Sequence, residues 1–119
     1  MKLDKDLVRE ILLAVEGSDR LPTGKIDLDL PGRDSNLVSY HIMLLDEAGL
    51  LVGRDATTHD GYRWQVRRLT YRGHEFLDTI RDGEIWRKTK AGAEKVGGAS
   101  IAFLWEIAKQ EVKAKLGLP

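Results

Sequence analysis

The chain of 119 residues has no cysteine, so neither a disulfide framework nor a thiolate metal site can form. It also has no apolar run near the roughly 18 residues that span a bilayer. Acidic residues follow Met1 closely and lead into an amphipathic segment, which is unlike a secretory signal. We therefore expect a cytoplasmic protein with no membrane partner, stabilised by a hydrophobic core alone.

The chain also lacks a net charge, with 19 Lys and Arg against 19 Asp and Glu. A dedicated nucleic-acid-binding domain is usually clearly basic, so this balance is evidence against one. The distribution is uneven, however. Residues 1–50 carry 10 acidic and 6 basic side chains, and residues 74–119 carry 7 and 8. Residues 51–73 have two aspartates and five arginines, namely Arg54, Arg63, Arg67, Arg68 and Arg72.

Motifs for catalysis or metal binding are also missing. The three histidines, His41, His59 and His74, include no pair at the i, i+4 spacing of a zinc helix. His74 and Glu75 are adjacent on a predicted helix and therefore do not face each other. No serine has a nucleophile-elbow context, and no glycine-rich phosphate loop follows a strand. We expect no enzyme activity, no metal and no cofactor, with His41 as a hydrogen-bonded structural histidine.

Periodicity predicts the elements of the first half. Apolar residues at one helical stripe predict a helix over 4–16, and alternation with aspartates predicts a strand over 25–30. A second helix, over 34–48, ends at a glycine. We expect its apolar side to consist of Leu37, His41, Leu44, Leu45 and Ala48. The exposed positions should include Ser39, Tyr40 and Met43.

The second half reads as a hairpin followed by helices. Two alternating segments, 50–56 and 62–69, flank the turn signal Asp60-Gly61. Helices follow over 70–82, 84–96 and 100–116.

This order of elements predicts an α+β winged helix with a three-stranded antiparallel sheet and additional C-terminal helices. We expect a single domain over 1–119, made of a winged-helix core over 1–82 and a helical extension over 83–119. Two features oppose DNA binding. Only about eight residues separate Pro31 from Tyr40, too few for a full supporting helix. Asp46 and Glu47 would also repel phosphate.

Four segments resemble a known family. They are Leu45–Leu50, Leu69–Asp82, Ile85–Lys90 and Leu116–Leu118, of which the second is the most specific. The family is a small winged-helix-like one of unknown function, found in bacterial genomes and often in prophage regions. The resemblance implies the fold and a phage-linked setting, but no reaction, ligand or partner.

The arginines are the main candidate site. Arg63 and Arg67 alternate with Gln65 on one side of a predicted strand, and Arg68 and Arg72 lie beside them. Such a row can be a solvated face that protects a sheet edge, a track for phosphates, or a surface for an acidic protein. We expect a non-enzymatic, phage-associated protein that binds nucleic acid, first of all double-stranded DNA. The arginines would hold phosphates, and Ser39, Tyr40 and Met43 would face a groove. The alternative is a protein-interaction module, with a bacterial or phage partner, that has the winged fold and does not bind DNA.

The last predicted helix has an apolar stripe consisting of Ile101, Leu104, Trp105, Ala108, Val112 and Leu116. It can fold back on its own domain or pack against a second copy, and composition does not separate these arrangements. Burying each large apolar side chain is worth roughly 1.5–3 kcal/mol. We expect a homodimer contact centred near Leu104, Trp105 and Val112.

Overall fold

The computed structural model of the protein describes residues 1–19 and 21–119. Over these residues the fold is α+β, with five helices and a two-stranded antiparallel sheet. In chain order the elements are α1 (Lys5–Glu16), α2 (Ser35–Glu47), β1 (Leu51–Asp55), β2 (Trp64–Leu69), α3 (Tyr71–Ile80), α4 (Gly83–Glu94) and α5 (Ile101–Lys115). The predicted helices and the hairpin are therefore confirmed. The chain forms two compact units, unit 1 over Met1–His74 and unit 2 over Glu75–Pro119.

The strand expected over residues 25–30 is reduced to a single bridge. The backbone N–H of Ile26 donates to Val66 O at 2.6 Å, and Val66 N–H donates back to Ile26 O at 3.0 Å. At the next residue the contact is made by side chains, because Asp27 Oδ1 accepts from Gln65 Nε2 at 2.9 Å. A third strand is therefore absent from the described residues, since one bridge does not make a ladder.

The core of unit 1 lies between α1, α2 and the hairpin. Its fully or almost fully buried side chains are Leu7, Val8, Ile11, Leu12, Val38, Ile42, Leu45, Leu50, Leu51, Val66 and Leu69. The buried face of α2 is thus centred on Val38 and Ile42, whereas Leu37 and Leu44 are only half-buried. The predicted face of α2 was wrong in this respect because the helix packs against both α1 and the hairpin.

A tight junction joins the hairpin to α3. The N–H of Thr70 donates to Leu50 O at 3.1 Å, and its hydroxyl donates to Gly49 O at 2.6 Å. The same hydroxyl oxygen accepts the N–H of Gly73 at 2.9 Å, which caps the helix. A Cβ at Gly73 would overlap the carbonyl oxygen of Leu50. Thr70 and Gly73 therefore have structural roles in the segment that carries the strongest family resemblance.

Unit 2 is helical. Phe76, Leu77, Ile80, Ile85, Trp86 and Leu104 are buried in it. Asp82 caps α4 by accepting the N–H groups of Glu84 and Ile85 at 2.9 and 3.0 Å. The Lys115 ammonium lies 3.0 Å from the other Asp82 oxygen. The N–H of Ile85 and the Lys115 ammonium lower the pKa of Asp82, so this carboxylate stays ionised.

Over the described ranges, the helices are all too short or too polar to cross a membrane.

Candidate nucleic-acid interface

The two faces of the hairpin have different neighbours. A Cβ at Gly53 would point at Ile42, Asp46 and Trp64, so this face packs against α2. Successive side chains of a strand alternate between faces. Arg54 therefore points away from α2, together with Gln65, its partner in the register. The outer face of the hairpin is thus the face that does not contact α2.

A hollow of about 230 Å³ lies on this outer face. Three cationic side chains line it, those of Lys25, Arg54 and Arg67, with the amide of Gln65 among them. No carboxylate occurs among the described residues that line it. Lys25 reaches the hollow because the Ile26–Val66 bridge holds its segment against β2. We call this feature the basic hollow.

The cationic surface continues toward α3. A second hollow, of about 150 Å³, is lined by Arg67, Arg68 and His74, together with Glu16. The Arg68 guanidinium donates to Leu69 O at 3.0 Å, so the end of this side chain is held near the backbone of the strand. Arg67 and Arg72 are exposed. Four arginines thus follow one another from the basic hollow to the first turn of α3: Arg54, Arg67, Arg68 and Arg72.

The tip of the hairpin has a different charge pattern. The Arg63 guanidinium is paired with Asp27 at 3.1 Å, and both side chains are more than half exposed. Asp55 and Asp60 lie in the same part of the hairpin. Hydrogen bonds from the Thr57 hydroxyl and backbone N–H lower the pKa of Asp55, so its negative charge persists. Arg63 was predicted as a phosphate contact, but its guanidinium is paired with a carboxylate.

The groove-facing residues predicted on α2 have other contacts. Ser39 is 6% exposed, and its hydroxyl oxygen accepts the N–H of Trp64 at 3.1 Å. Its predicted exposure was wrong because α2 packs against β2 at this position. Tyr40 and Met43 are half-buried, and Met43 Sδ accepts the hydroxyl of Tyr62 at 3.8 Å. Burial raises the pKa of Tyr62, so this hydroxyl keeps its proton.

The buried histidine is structural. His41 is fully buried, and its Nε2 accepts the backbone N–H of Asp4 at 2.7 Å. Its Nδ1 then carries the proton and donates to Leu37 O at 2.9 Å. Both ring nitrogens are therefore used inside unit 1. Among the residues the structure describes, no group of three His, Cys, Asp or Glu side chains could hold a metal ion.

The three residues of the predicted dimer contact differ in how far they are exposed. Leu104 is fully buried within its own chain, so it cannot form a surface for a second copy. Trp105 packs edge-on against Phe76 with ring centroids 5.5 Å apart, and its indole N–H donates to Thr79 Oγ1 at 3.3 Å. Val112 is half-buried. The exposed large apolar side chains of unit 2 are instead Val96, Phe103, Leu116 and Leu118.

One signal for this site was present in the sequence and two others were not. The spacing of Arg67 and Gln65 correctly placed them on one face. The contribution of Lys25 could not be found in this way, because it depends on a bridge between residues 40 positions apart in the chain, Ile26 and Val66. Arg54 was part of the arginine cluster, but its position in the hollow follows only from the strand register.

Comparisons with known proteins show the family of the chain. Residues 2–100 match a family model described as "Hypothetical protein (DUF2513)". A Haemophilus influenzae protein named "Uncharacterized protein" is 38% identical over 90 residues, which are 76% of each chain. No solved structure gives a significant match. The model match ends at the N-cap of α5, Ser100. The chain belongs to this hypothetical-protein family, DUF2513.

Proposed function

We propose that this protein is a non-enzymatic winged-helix protein that binds nucleic acid, with double-stranded DNA as the first candidate. The observation that carries the proposal is the basic hollow, in which Lys25, Arg54 and Arg67 surround a space of about 230 Å³. The order helix, hairpin, helix supports the winged-helix assignment. The resemblance of residues 69–82 to a family common in prophages supports a phage-related role.

Phosphate is the chemical group that best fits the hollow. Guanidinium groups offer paired N–H donors that match two phosphate oxygens, and an ammonium adds a point charge. The described residues that line the hollow include no carboxylate. A ligand with a single phosphate would use the hollow alone. A polymer would also use Arg68 and Arg72, which continue the cationic surface beyond it.

The proposed interface therefore differs from the one expected from sequence. Contacts to the backbone of the nucleic acid come from the outer face of the hairpin, and α2 lies against the opposite face. Backbone contacts position a protein without reading sequence. We expect binding with strong salt dependence and little preference among base sequences.

The test is a fluorescence anisotropy titration of a mixed-sequence duplex at about 50 mM and 200 mM salt. The affinity should fall steeply with salt, because each neutralised phosphate releases counterions. In Arg54→Glu/Arg67→Glu both the affinity and the salt slope should fall. The matched control is Arg87→Glu/Lys113→Glu, which makes the same change of charge at two exposed residues of unit 2.

Two outcomes contradict the proposal. One is the absence of binding by the unmodified chain at tens of micromolar protein in low salt. The other is an equal loss of affinity in both double variants, which would show that only total charge matters. Circular dichroism of each variant establishes that it is folded.

A protein-interaction module is the second candidate, favoured by the exposed apolar side chains of unit 2. Phe103 is 49% exposed and Leu116 is 67% exposed, and the chain has no net charge. Such side chains are common at contact surfaces between proteins. A defined bacterial or phage partner that co-purifies after nuclease treatment, and is lost in Phe103→Glu, would favour this function. A second copy of the chain is one such partner.

A further inference from the structure

Tyr71 is an unusual aromatic residue in unit 1. Its side chain is 79% exposed, whereas Tyr40, Tyr62 and Trp64 are half-buried. It is the first residue of α3, directly after the cap residue Thr70. The side chain is therefore presented to solvent from a backbone that is held in place by hydrogen bonds.

The rigidity of this backbone has a clear origin. Thr70 is bonded to the carbonyl oxygens of both Gly49 and Leu50, and Gly73 lies directly against Leu50. An exposed ring on a fixed backbone loses little conformational entropy when a ligand packs against it.

Cations flank the ring on both sides in the sequence. Arg68 precedes Tyr71 by three residues, and Arg72 follows it directly; both are exposed. Three residues span at most about 11 Å, so Arg68 and the ring are within reach of neighbouring nucleotides. Arg67 and Arg68 also line the second hollow. Aromatic rings next to such cations are the usual components of surfaces that bind unpaired nucleotides, because bases stack on the rings and cations hold the backbone.

We propose that residues 67–72 bind a single-stranded segment of nucleic acid, in which an unpaired base stacks on Tyr71 and flanking phosphates contact Arg67 and Arg68. This inference rests on the proposed function, since it uses the same arginines. In a complete duplex the faces of the bases are already stacked on one another, so Tyr71 adds nothing to duplex affinity. The chain therefore binds a strand with unpaired bases more tightly than Tyr71→Ala does, while both bind duplex equally.

The experiment compares two probes of one sequence, a 12-nucleotide DNA single strand and the corresponding 12-base-pair duplex, by anisotropy in low salt. Tyr71→Ala should weaken single-strand binding by about tenfold, because stacking contributes substantially per base. Duplex binding should not change. Tyr71→Phe should bind the single strand like the unmodified chain, since stacking requires the ring and not the hydroxyl.

Leu21→Ala is the matched control, because Leu21 is also in unit 1 and is 77% exposed. It should leave both affinities unchanged. Thermal denaturation should give similar midpoints for all variants, since neither side chain is part of the core.

The outcomes separate the two proposals. If the unmodified chain binds neither probe, the proposed function and this inference both fail. If the Arg54→Glu/Arg67→Glu variant loses duplex binding but Tyr71→Ala binds the single strand normally, only this inference fails. An equal loss of affinity for both probes in Tyr71→Ala also contradicts this inference, because the ring would then not distinguish unpaired bases from paired ones.

Discussion

The base and the tip of the hairpin both carry arginine, yet they differ in what surrounds it. At the base, Arg54 and Arg67 share a hollow with Lys25, and the described lining residues include no carboxylate. At the tip, Arg63 is paired with Asp27 at 3.1 Å, and Asp55 and Asp60 are close by in the chain. A count of charges along the chain treats these arginines as equal. In the folded chain three cations surround one space at the base, whereas the cation at the tip is paired with a carboxylate.

The two regions also differ in how firmly they are held. The start of β1 and the end of β2 are joined to α3 through Thr70 and Gly73. The tip is closed by the Thr58–Gly61 bridge and by the exposed hydroxyls of Thr57 and Thr58. We therefore expect substitutions at Thr70 and Gly73 to reduce stability more than substitutions at the tip do.

The largest effect is expected for Gly73→Ala, which would break the base of the hairpin. The new methyl group would overlap Leu50 O, and neither backbone segment can move without losing the Thr70 hydrogen bonds. We expect a loss of about 3 kcal/mol or more in the free energy of unfolding, at the upper end for overpacking. Chemical denaturation measures it.

The control for this prediction is Gly83→Ala. Gly83 is the first residue of α4, and a Cβ there would meet nothing within 4 Å. This variant should be as stable as the unmodified chain or slightly more stable, because alanine restricts the unfolded state. Equal stability of the two variants would show that the junction is not as tight as the geometry indicates.

The helices and the hairpin were predictable because their signals are local. Caps such as Asp82 and Ser100 and the apolar stripe of α1 lie within a few residues of the elements they specify. The prediction of a third strand was wrong because the alternation of Ile26, Leu28 and Leu30 indicates an extended segment with one apolar face. It does not show whether the backbone of that segment pairs with another strand. Only the Ile26 position is paired, and Asp27 is held by side chains.

The site residues were also predictable only where the signal is local. Alternation placed Arg67 and Gln65 on one face, since the period of a strand is a property of the chain itself. The burial of Ser39 was not predictable, because α2 is covered by α1 on one side and by the hairpin on another. The ion pair of Arg63 with Asp27 joins residues 36 positions apart, and it depends on the same long-range bridge as the basic hollow.

A moderate effect is expected for Asp27→Asn, which would make the tip resemble the base. The asparagine keeps a hydrogen-bond acceptor for Gln65 but no longer neutralises Arg63. Both members of the pair are more than half exposed, so its loss should cost less than about 1 kcal/mol of stability. Duplex binding should become about two- to threefold tighter, with a steeper salt dependence.

Asp29→Asn, which removes the same charge at an exposed position two residues away, is the control for a general charge effect. Equal tightening in both variants would contradict a specific role for the Arg63–Asp27 pair.

The smallest effect is expected at Asp55, and it concerns the negative charge of the tip. The Thr57 hydroxyl and then the Thr57 backbone N–H lower the pKa of Asp55, because both stabilise the carboxylate. A carboxyl group whose pKa is lower in the folded state stabilises that state above its unfolded pKa, and the contribution is lost as the pH falls through the folded pKa.

Thr57→Val removes the hydroxyl, so the pKa of Asp55 should rise toward its ordinary value. A carboxyl-detected NMR titration from about pH 6 to pH 2 measures this directly. Thr23→Val, at another exposed threonine of unit 1, should leave the titration of Asp55 unchanged. An unchanged curve in Thr57→Val would mean that the hydroxyl does not hold the charge at the tip, and the contrast between tip and base would then rest on the Arg63–Asp27 pair alone.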